Sequence, residues 1–290
     1  MMYPYVQFIV HTVGYTAVVL GVQLISYSSF AQSPKLGNCI QTANHLSPAS
    51  QETVTICQPK PSQQLLISES AINQLKSSIN FTDISGVYGE TEIRQLAELG
   101  VLETTSGEFR PQTPITRGQF VAWLVKTYNE LHQEPIRSVQ NTRLAFPDVS
   151  SSHPHFTYIQ AAHNADFLAG FDDGNFRPDD ILTREQMIVL KTTLDSNPQA
   201  RNYPNALRDY RNFIGKTRGF TDVEQISDRY IPYIAFDLGN AASIRNFARV
   251  YGRTRIYAPQ KAVTRAEAAL VLSRFRKGGT VEQALKKRNR

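Results

Sequence analysis

Three short segments of the 290-residue chain place a guanidinium where helix physics alone would not put one. Thr116-Arg117-Gly118-Gln119, Thr183-Arg184-Glu185-Gln186 and Thr264-Arg265-Ala266-Glu267 share the pattern T-R-x-[E/Q]. Thr followed three residues later by Glu or Gln is a capping box: the hydroxyl takes the N3 amide, and the N3 side chain returns to the N-cap amide. An arginine at the first helical position faces the positive end of the helix dipole, at a cost of about 0.3–1 kcal/mol. Its recurrence calls for compensation, and two partners stay open. One is an internal ion pair with Asp83, Asp148 or Asp222 of a neighbouring unit. The other is an anionic ligand group, received by the guanidinium together with free helix-terminal amides.

Other residue clusters promise less. Asp172-Asp173-Gly174 with Asp179-Asp180 suggests calcium, but an EF-hand with Gly174 sixth would put Ala169 and Phe171 at ligand positions and Asp180 at twelve. His153, His155 and His163 are near in sequence, and a short H-x-H before a helix reads as a solvated loop. There is no G-x-S-x-G, P-loop or H-E-x-x-H pattern. The chain is therefore expected not to be an enzyme and to hold no catalytic residue, metal or cofactor. Trp123 is expected in the core.

The elements that position the arginines come from a repeat. Its copies open with Phe81-Thr82-Asp83-Ile84, Phe146-Pro147-Asp148-Val149 and Phe220-Thr221-Asp222-Val223. Each runs through a helical stretch to an aromatic-x-Pro turn: Phe109-Arg110-Pro111, Phe176-Arg177-Pro178 and Tyr257-Ala258-Pro259. The arginine follows six residues after each proline, and a second helix begins there. The opening-to-proline distance is 30, 32 and 39 residues, so the third copy carries an insertion within residues 240–255. Ile93, Leu96, Ala97 and Val101, then Phe156, Ile159, Ala162 and Ala165, then Tyr230, Ile234 and Leu238 mark the first helices. Phe120, Val121, Leu124 and Tyr128, then Met187, Leu190 and Leu194, then Ala268, Val271, Leu272 and Phe275 mark the second. A helix–turn–helix unit of about 50 residues cannot bury its apolar faces alone, so the three must pack together. Ile72, Leu75 and Ile79 predict a short helix before the first copy, and residues 196–214 a partly helical link before the third.

Charge and the chain start bound the setting. The net charge is +6, and residues 274–290 hold seven Lys/Arg against Glu282, the whole excess. A basic, solvated tail is expected there, not the broad cationic face that nucleic-acid binding requires. Thr12 to Tyr27 is an apolar run, followed by Ser29 and Ala31 at the −3 and −1 positions of a cleavage site before Gln32. This predicts a secretory signal peptide, although no Lys or Arg occurs in the first eleven residues; an uncleaved N-terminal anchor is the alternative. Export would permit a bridge between the only cysteines, Cys39 and Cys57, with two unpaired thiols as the alternative. The expected division is a signal peptide at 1–31, a polar segment at 32–68, units at 69–145, 146–219 (with its linker) and 220–276, and the basic tail at 277–290.

The repeat resembles the S-layer homology (SLH) module, whose pattern is F-x-D-V, a helix, G-[FY]-x-D-G-x-F-x-P and aliphatic-T-R-x-E. The second copy, FPDVSSSHPHFTYIQAAHNADFLAGFDDGNFRPDDILTREQ, is the nearest match. The first lacks the aspartate before its turn glycine, and the third replaces the G-x-x-D-G turn with the insertion. The resemblance implies a mainly α fold of three helix–turn–helix modules packed as a pseudo-threefold bundle. It also implies noncovalent attachment of an exported protein to the bacterial cell envelope, through acidic, peptidoglycan-linked cell-wall polysaccharide bound in grooves between modules. The best-known ligands of the family carry pyruvate ketals. By matching position, the binding role falls to Arg117, Arg184 and Arg265 and extends to Gly170, Asp173 and Gly174. Arg184 is favoured among the arginines because its copy keeps the full turn. The alternative is a structural envelope module that binds another protein, its glycan grooves degenerate.

Overall fold

A computed structural model of the chain describes residues 40–41, 55–56, 79–137, 143–195, 207–239 and 244–290. The chain divides into two units, residues 1–66 and 67–290. In the first, β1 (Ile40–Gln41) pairs antiparallel with β2 (Thr55–Ile56). The apolar run, the cut after Ala31, Cys39, Cys57, the helix through Ile72 and Leu75, and link residues 196–206 lie outside the described residues.

The second unit is mainly helical. Its first repeat holds β3 (Asn80–Phe81), α1 (Glu90–Glu98), β4 (Ser106–Gly107) and α2 (Arg117–Leu131). Its second holds α3 (Phe156–Asn164) and α4 (Arg184–Asp195). After α5 (Leu207–Asn212) and a wider turn at Phe213–Thr217, the third holds α6 (Ile231–Gly239), α7 (Asn246–Tyr251) and α8 (Arg265–Leu272). The short α7 is made by the insertion. Burial follows the predicted periodicity: Ile93 and Leu96 on α1, Phe120 and Val121 on α2, and Met187 on α4 are sealed from solvent.

The opening aspartates do local work. Asp83 accepts from the amides of Phe109 and Arg110 (2.8 and 2.7 Å), Asp148 from Phe176 and Arg177 (2.9 and 2.6 Å), and Asp222 from Tyr257 and Ala258 (2.8 and 2.7 Å). Each carboxylate thus holds the aromatic-x-Pro turn of its own repeat. The middle residue of that turn takes positive φ: 59° at Arg110, 59° at Arg177 and 52° at Ala258. This conformation costs a non-glycine residue about 1 kcal/mol or more, and two charge-assisted hydrogen bonds offset it.

The repeats pack head to tail in a closed ring. The second helix of each lies on the first helix of the next: α2 on α3, α4 on α6, and α8 back on α1. The second helices also meet one another. At that junction Ile115 N–H donates to Val263 O, Leu182 N–H to Ile115 O and Val263 N–H to Leu182 O, at 2.9–3.0 Å.

The C-terminal segment differs from the solvated tail expected from its charge. Arg274–Phe275 and Gly279–Thr280 pair antiparallel as β5 and β6, and α9 follows at Val281–Arg288 behind a complete Thr280/Gln283 capping box. Val281 and Leu285 are buried, and α9 packs on α1 and α2. Sequence charge hid the two apolar residues, four apart, that dock this helix.

Candidate functional site

The ring turns the three Thr-Arg motifs into contacts between repeats. Each helix N-terminus is plugged into the aromatic-x-Pro turn of the next repeat. Arg117 N–H donates to Asp180 O and Gly118 N–H to Pro178 O; Arg184 N–H donates to Lys261 O and Glu185 N–H to Pro259 O; Arg265 N–H donates to Thr113 O and Ala266 N–H to Pro111 O. The N3 amides go to the capping threonines, Gln119 to Thr116, Gln186 to Thr183 and Glu267 to Thr264. The amides that the sequence left free for an anion are therefore occupied. Sequence reasoning could not see this, because the acceptors lie 60 residues or more away in the chain.

The guanidinium groups follow the same rule. Arg117 Nε donates to Phe176 O (3.1 Å), Arg184 Nη1 to Tyr257 O (3.2 Å) and Arg265 Nε to Phe109 O (2.8 Å). Carbonyl oxygens of the neighbouring turn thus surround each arginine and compensate its clash with the helix dipole. Asp83, Asp148 and Asp222 form no ion pair with these arginines among the described residues. The internal ion pair considered from sequence is absent in that form.

Beyond the shared rule, the three environments diverge. Arg117 is 5% exposed. It donates from Nη2 to Ala169 O at 3.4 Å and lies over the rings of Phe176 and Phe171 (4.6 and 4.9 Å). No carboxylate pairs with it among the described residues, and burial pulls it down to about 10 from the usual arginine range. Arg117 lines a cavity of about 300 Å³, with Ala169, Asp172, Gln186, Arg229, Tyr230 and Tyr233 among the other walls. Arg229 donates to Gly170 O (3.0 Å) and pairs with the exposed Asp172 (3.3 Å). A buried cation without a counter-ion, a second guanidinium and two tyrosines can receive an anionic group attached to a ring.

Arg184 is filled from within. Its guanidinium lies over Tyr251 of α7 at 3.8 Å and pairs with Glu267 at 3.6 Å. Tyr251, from the insertion, thus covers one face of this guanidinium. The full turn in its own repeat favoured Arg184 from sequence, but the arginine reads the turn of the following repeat, where the insertion lies. Arg265 is half-buried, without a carboxylate partner among the described residues, over Phe109 (4.7 Å) and Trp123 (4.8 Å). Trp123 is fully buried, and its Nε1 donates to Glu103 at 2.6 Å.

Gly170, Asp173 and Gly174 shape the turn that faces Arg117 but do not line its cavity. A Cβ on Gly170 would come within 2.7 Å of Asn175 O and 2.8 Å of the Phe146 ring. Gly174 has φ +80°. Asp173 pairs with Arg177 at 2.8 Å and accepts from Asn175 N–H; these contacts hold its carboxyl down to about 2. The cavity instead uses Asp172 of the second repeat and Arg229, Tyr230 and Tyr233 of the third; Arg229 and Tyr233 carry no signal in the repeat pattern because only the third repeat supplies them. No group of three or more His, Cys, Asp or Glu side chains suited to a metal occurs among the described residues.

A buried polar cluster also went unread. Lys191, fully buried on α4, pairs with Asp195 at 2.5 Å and lies 3.7 Å from the centre of the Phe275 ring. Asp195 also accepts from Arg276 N–H (3.1 Å) and Asn246 Nδ2 (3.3 Å). Nearby Asp237 accepts from Phe247 N–H at 3.1 Å, yet burial pushes its carboxyl up to about 6. A carboxylate with a raised folded-state pKa stabilises the fold below its unfolded value of 3.8, and that contribution is lost as pH rises through about 6. Relative to Asp237→Asn, the wild-type chain is therefore expected to lose up to about 3 kcal/mol between pH 4 and pH 7. Urea denaturation of both proteins across that range measures the difference, and parallel curves would refute it.

Helix–turn–helix repeats closed into a ring, each reading its neighbour's turn through a Thr-Arg motif, define a class of repeat module with inter-repeat grooves. The family model of the S-layer homology domain matches residues 80–121 and 145–188, so the chain carries S-layer homology modules at its first two repeats. Among curated relatives, the chain is 29% identical over 210 residues to "Exoglucanase XynX" of Acetivibrio thermocellus, covering 72% of this chain and 17% of that protein. It is 29% identical over 194 residues to "Amylopullulanase" of Thermoanaerobacterium thermosulfurigenes (66% and 9%). It is 35% identical over 106 residues to "Endoglucanase" of Bacillus sp. (strain KSM-635) (36% and 11%). The chain thus spans less than a fifth of the length of each of these relatives.

Proposed function

We propose that the chain is an exported anchor of the bacterial cell envelope that binds acidic, peptidoglycan-linked polysaccharide in the grooves between its repeats. Residues 220–276 act as a third module. The observation that carries this reading is Arg117, a buried guanidinium with no carboxylate partner among the described residues, on the wall of a 300 Å³ cavity lined by Arg229, Tyr230 and Tyr233. The Arg117 groove is the primary site, the Arg265 groove a second, and the Arg184 groove is closed by Tyr251 and Glu267. A carboxylated ketal such as pyruvate on an amino sugar fits the cavity's chemistry: the guanidinium groups take the carboxylate and the tyrosines the sugar face.

One observation favours the alternative, a structural module that binds an envelope protein: the chain itself has already filled one groove. Sedimentation with purified sacculi, before and after chemical removal of the attached polysaccharide, separates the two. Binding to intact sacculi that vanishes on removal is expected. Retention on stripped sacculi, or no sedimentation at all, would sink the glycan reading.

A further inference from the structure

The insertion in the third repeat builds a second cavity, apart from the three inter-repeat grooves. It has a volume of about 290 Å³, close to the lower bound of small-molecule pockets. Arg245, Phe247, Ala248, Gly252, Arg253 and Thr254 come from the longer segment of this repeat, and Arg218 and Phe220 come from its opening. Asp237 and Leu238 of α6 complete the wall.

Its composition is selective. Three arginines, Arg218, Arg245 and Arg253, line it with one carboxylate, the buried Asp237. Arg218 and Arg253 form no ion pair among the described residues, and both are exposed. Arg218 lies over the Phe213 ring at 5.0 Å, which holds the guanidinium at the rim. The remaining walls, Phe220, Leu238 and Phe247, are apolar and rigidly packed; Phe220 and Phe247 meet edge to face at 5.4 Å. Arg245 adopts φ +53°, a conformation that costs a non-glycine residue free energy and is often kept at functional sites.

We propose that this cavity binds a small oxyanion carried on a single ring, a sugar phosphate or a sugar carboxylate. The arginines at the mouth take the oxyanion, in the forked geometry suited to phosphate and carboxylate, and the ring rests on Phe220, Leu238 and Phe247. A volume of about 290 Å³ is of the size of one sugar unit. This assignment does not depend on the wall-binding reading, because no residue of the Arg117 groove lines this cavity.

Calorimetric titration of the full chain with inorganic phosphate, glucose 1-phosphate and glucuronate tests it. Saturable binding of glucose 1-phosphate or glucuronate, at least tenfold tighter than that of inorganic phosphate, is expected; which of the two binds identifies the oxyanion. Arg218→Ala/Arg253→Ala should weaken that binding tenfold or more. Both side chains are exposed, so the melting temperature and sacculus sedimentation should stay unchanged. Arg117→Ala should leave the small-molecule affinity intact. Absence of saturable binding by every probe, or equal affinity in the double variant, overturns the proposal. So does loss of affinity in Arg117→Ala alone, which would assign the ligand to the other groove.

Discussion

Asp195→Ala is expected to destabilise the folded ring by about 3–5 kcal/mol, the usual cost of removing one partner from a buried ion pair. Lys191 would keep its charge with no solvent access, since its side chain is fully buried and Asp195 is its ion-pair partner. Burial already lowers the Lys191 ammonium from its ordinary range, and Asp195 is the largest opposing influence. The same carboxylate also joins α4 to the β5–β6 hairpin through Arg276 N–H, and to α7 through Asn246. One substitution therefore loosens three elements that meet only in the third dimension. The double variant Lys191→Met/Asp195→Asn removes both charges at nearly constant volume and keeps an acceptor for Arg276 N–H, and should recover most of the loss. Chemical denaturation of the wild type and both variants measures this. A single variant within about 1 kcal/mol of wild type, or a double variant as unstable as the single, would show that the pair contributes little.

The sequence made the repeats legible because a supersecondary unit used three times must keep the residues its neighbours read. The opening aspartate, the aromatic-x-Pro turn and the Thr-Arg motif each proved to be one half of a contact, so each recurs. Their partners were not legible. The sequence offers the aspartates as one of two partners for the arginines, but they serve the turn amides of their own repeat; the arginines take carbonyl oxygens, which leave no trace in side-chain types. Arg184 was ranked by the quality of its own repeat, whereas its surroundings belong to the following one, and there the insertion places Tyr251. Beside Tyr230, which marks a recurring helix position, the Arg117 cavity is lined by Asp172, Arg229 and Tyr233, which do not recur. A search for recurring positions finds the scaffold of such a site and passes over its specificity. The C-terminal helix shows a related limit: charge density suggested solvent, while Val281 and Leu285 settled the packing.

Arg117→Ala is expected to lower the affinity for wall polysaccharide about ten- to a hundredfold, the equivalent of about 1.5–3 kcal/mol for a lost charge-assisted hydrogen bond. Arg184→Ala should leave that affinity nearly unchanged. The contrast follows from what each guanidinium already touches. Arg117 has two carbonyls, two ring faces and an open cavity; Arg184 has Glu267 and the Tyr251 ring in the ligand's place. Stability should move the other way. Losing Arg117 forfeits two neutral-acceptor hydrogen bonds, while the Thr116 cap and the backbone bonds from Arg117 and Gly118 persist in any residue. Losing Arg184 leaves Glu267, four-fifths buried, without its cation and empties the face of Tyr251. Arg184→Ala should therefore melt lower than Arg117→Ala. Arg117→Lys sharpens the test: it keeps the charge but not the planar fork, so affinity should fall by less than in the alanine variant yet not return to wild type. Melting temperature and polysaccharide affinity measured on all three variants decide the matter. If Arg117→Ala binds as tightly as wild type while Arg184→Ala does not, the open groove has been assigned to the wrong arginine. If both bind normally and both melt lower, the Thr-Arg motif is the fastening between repeats and nothing more.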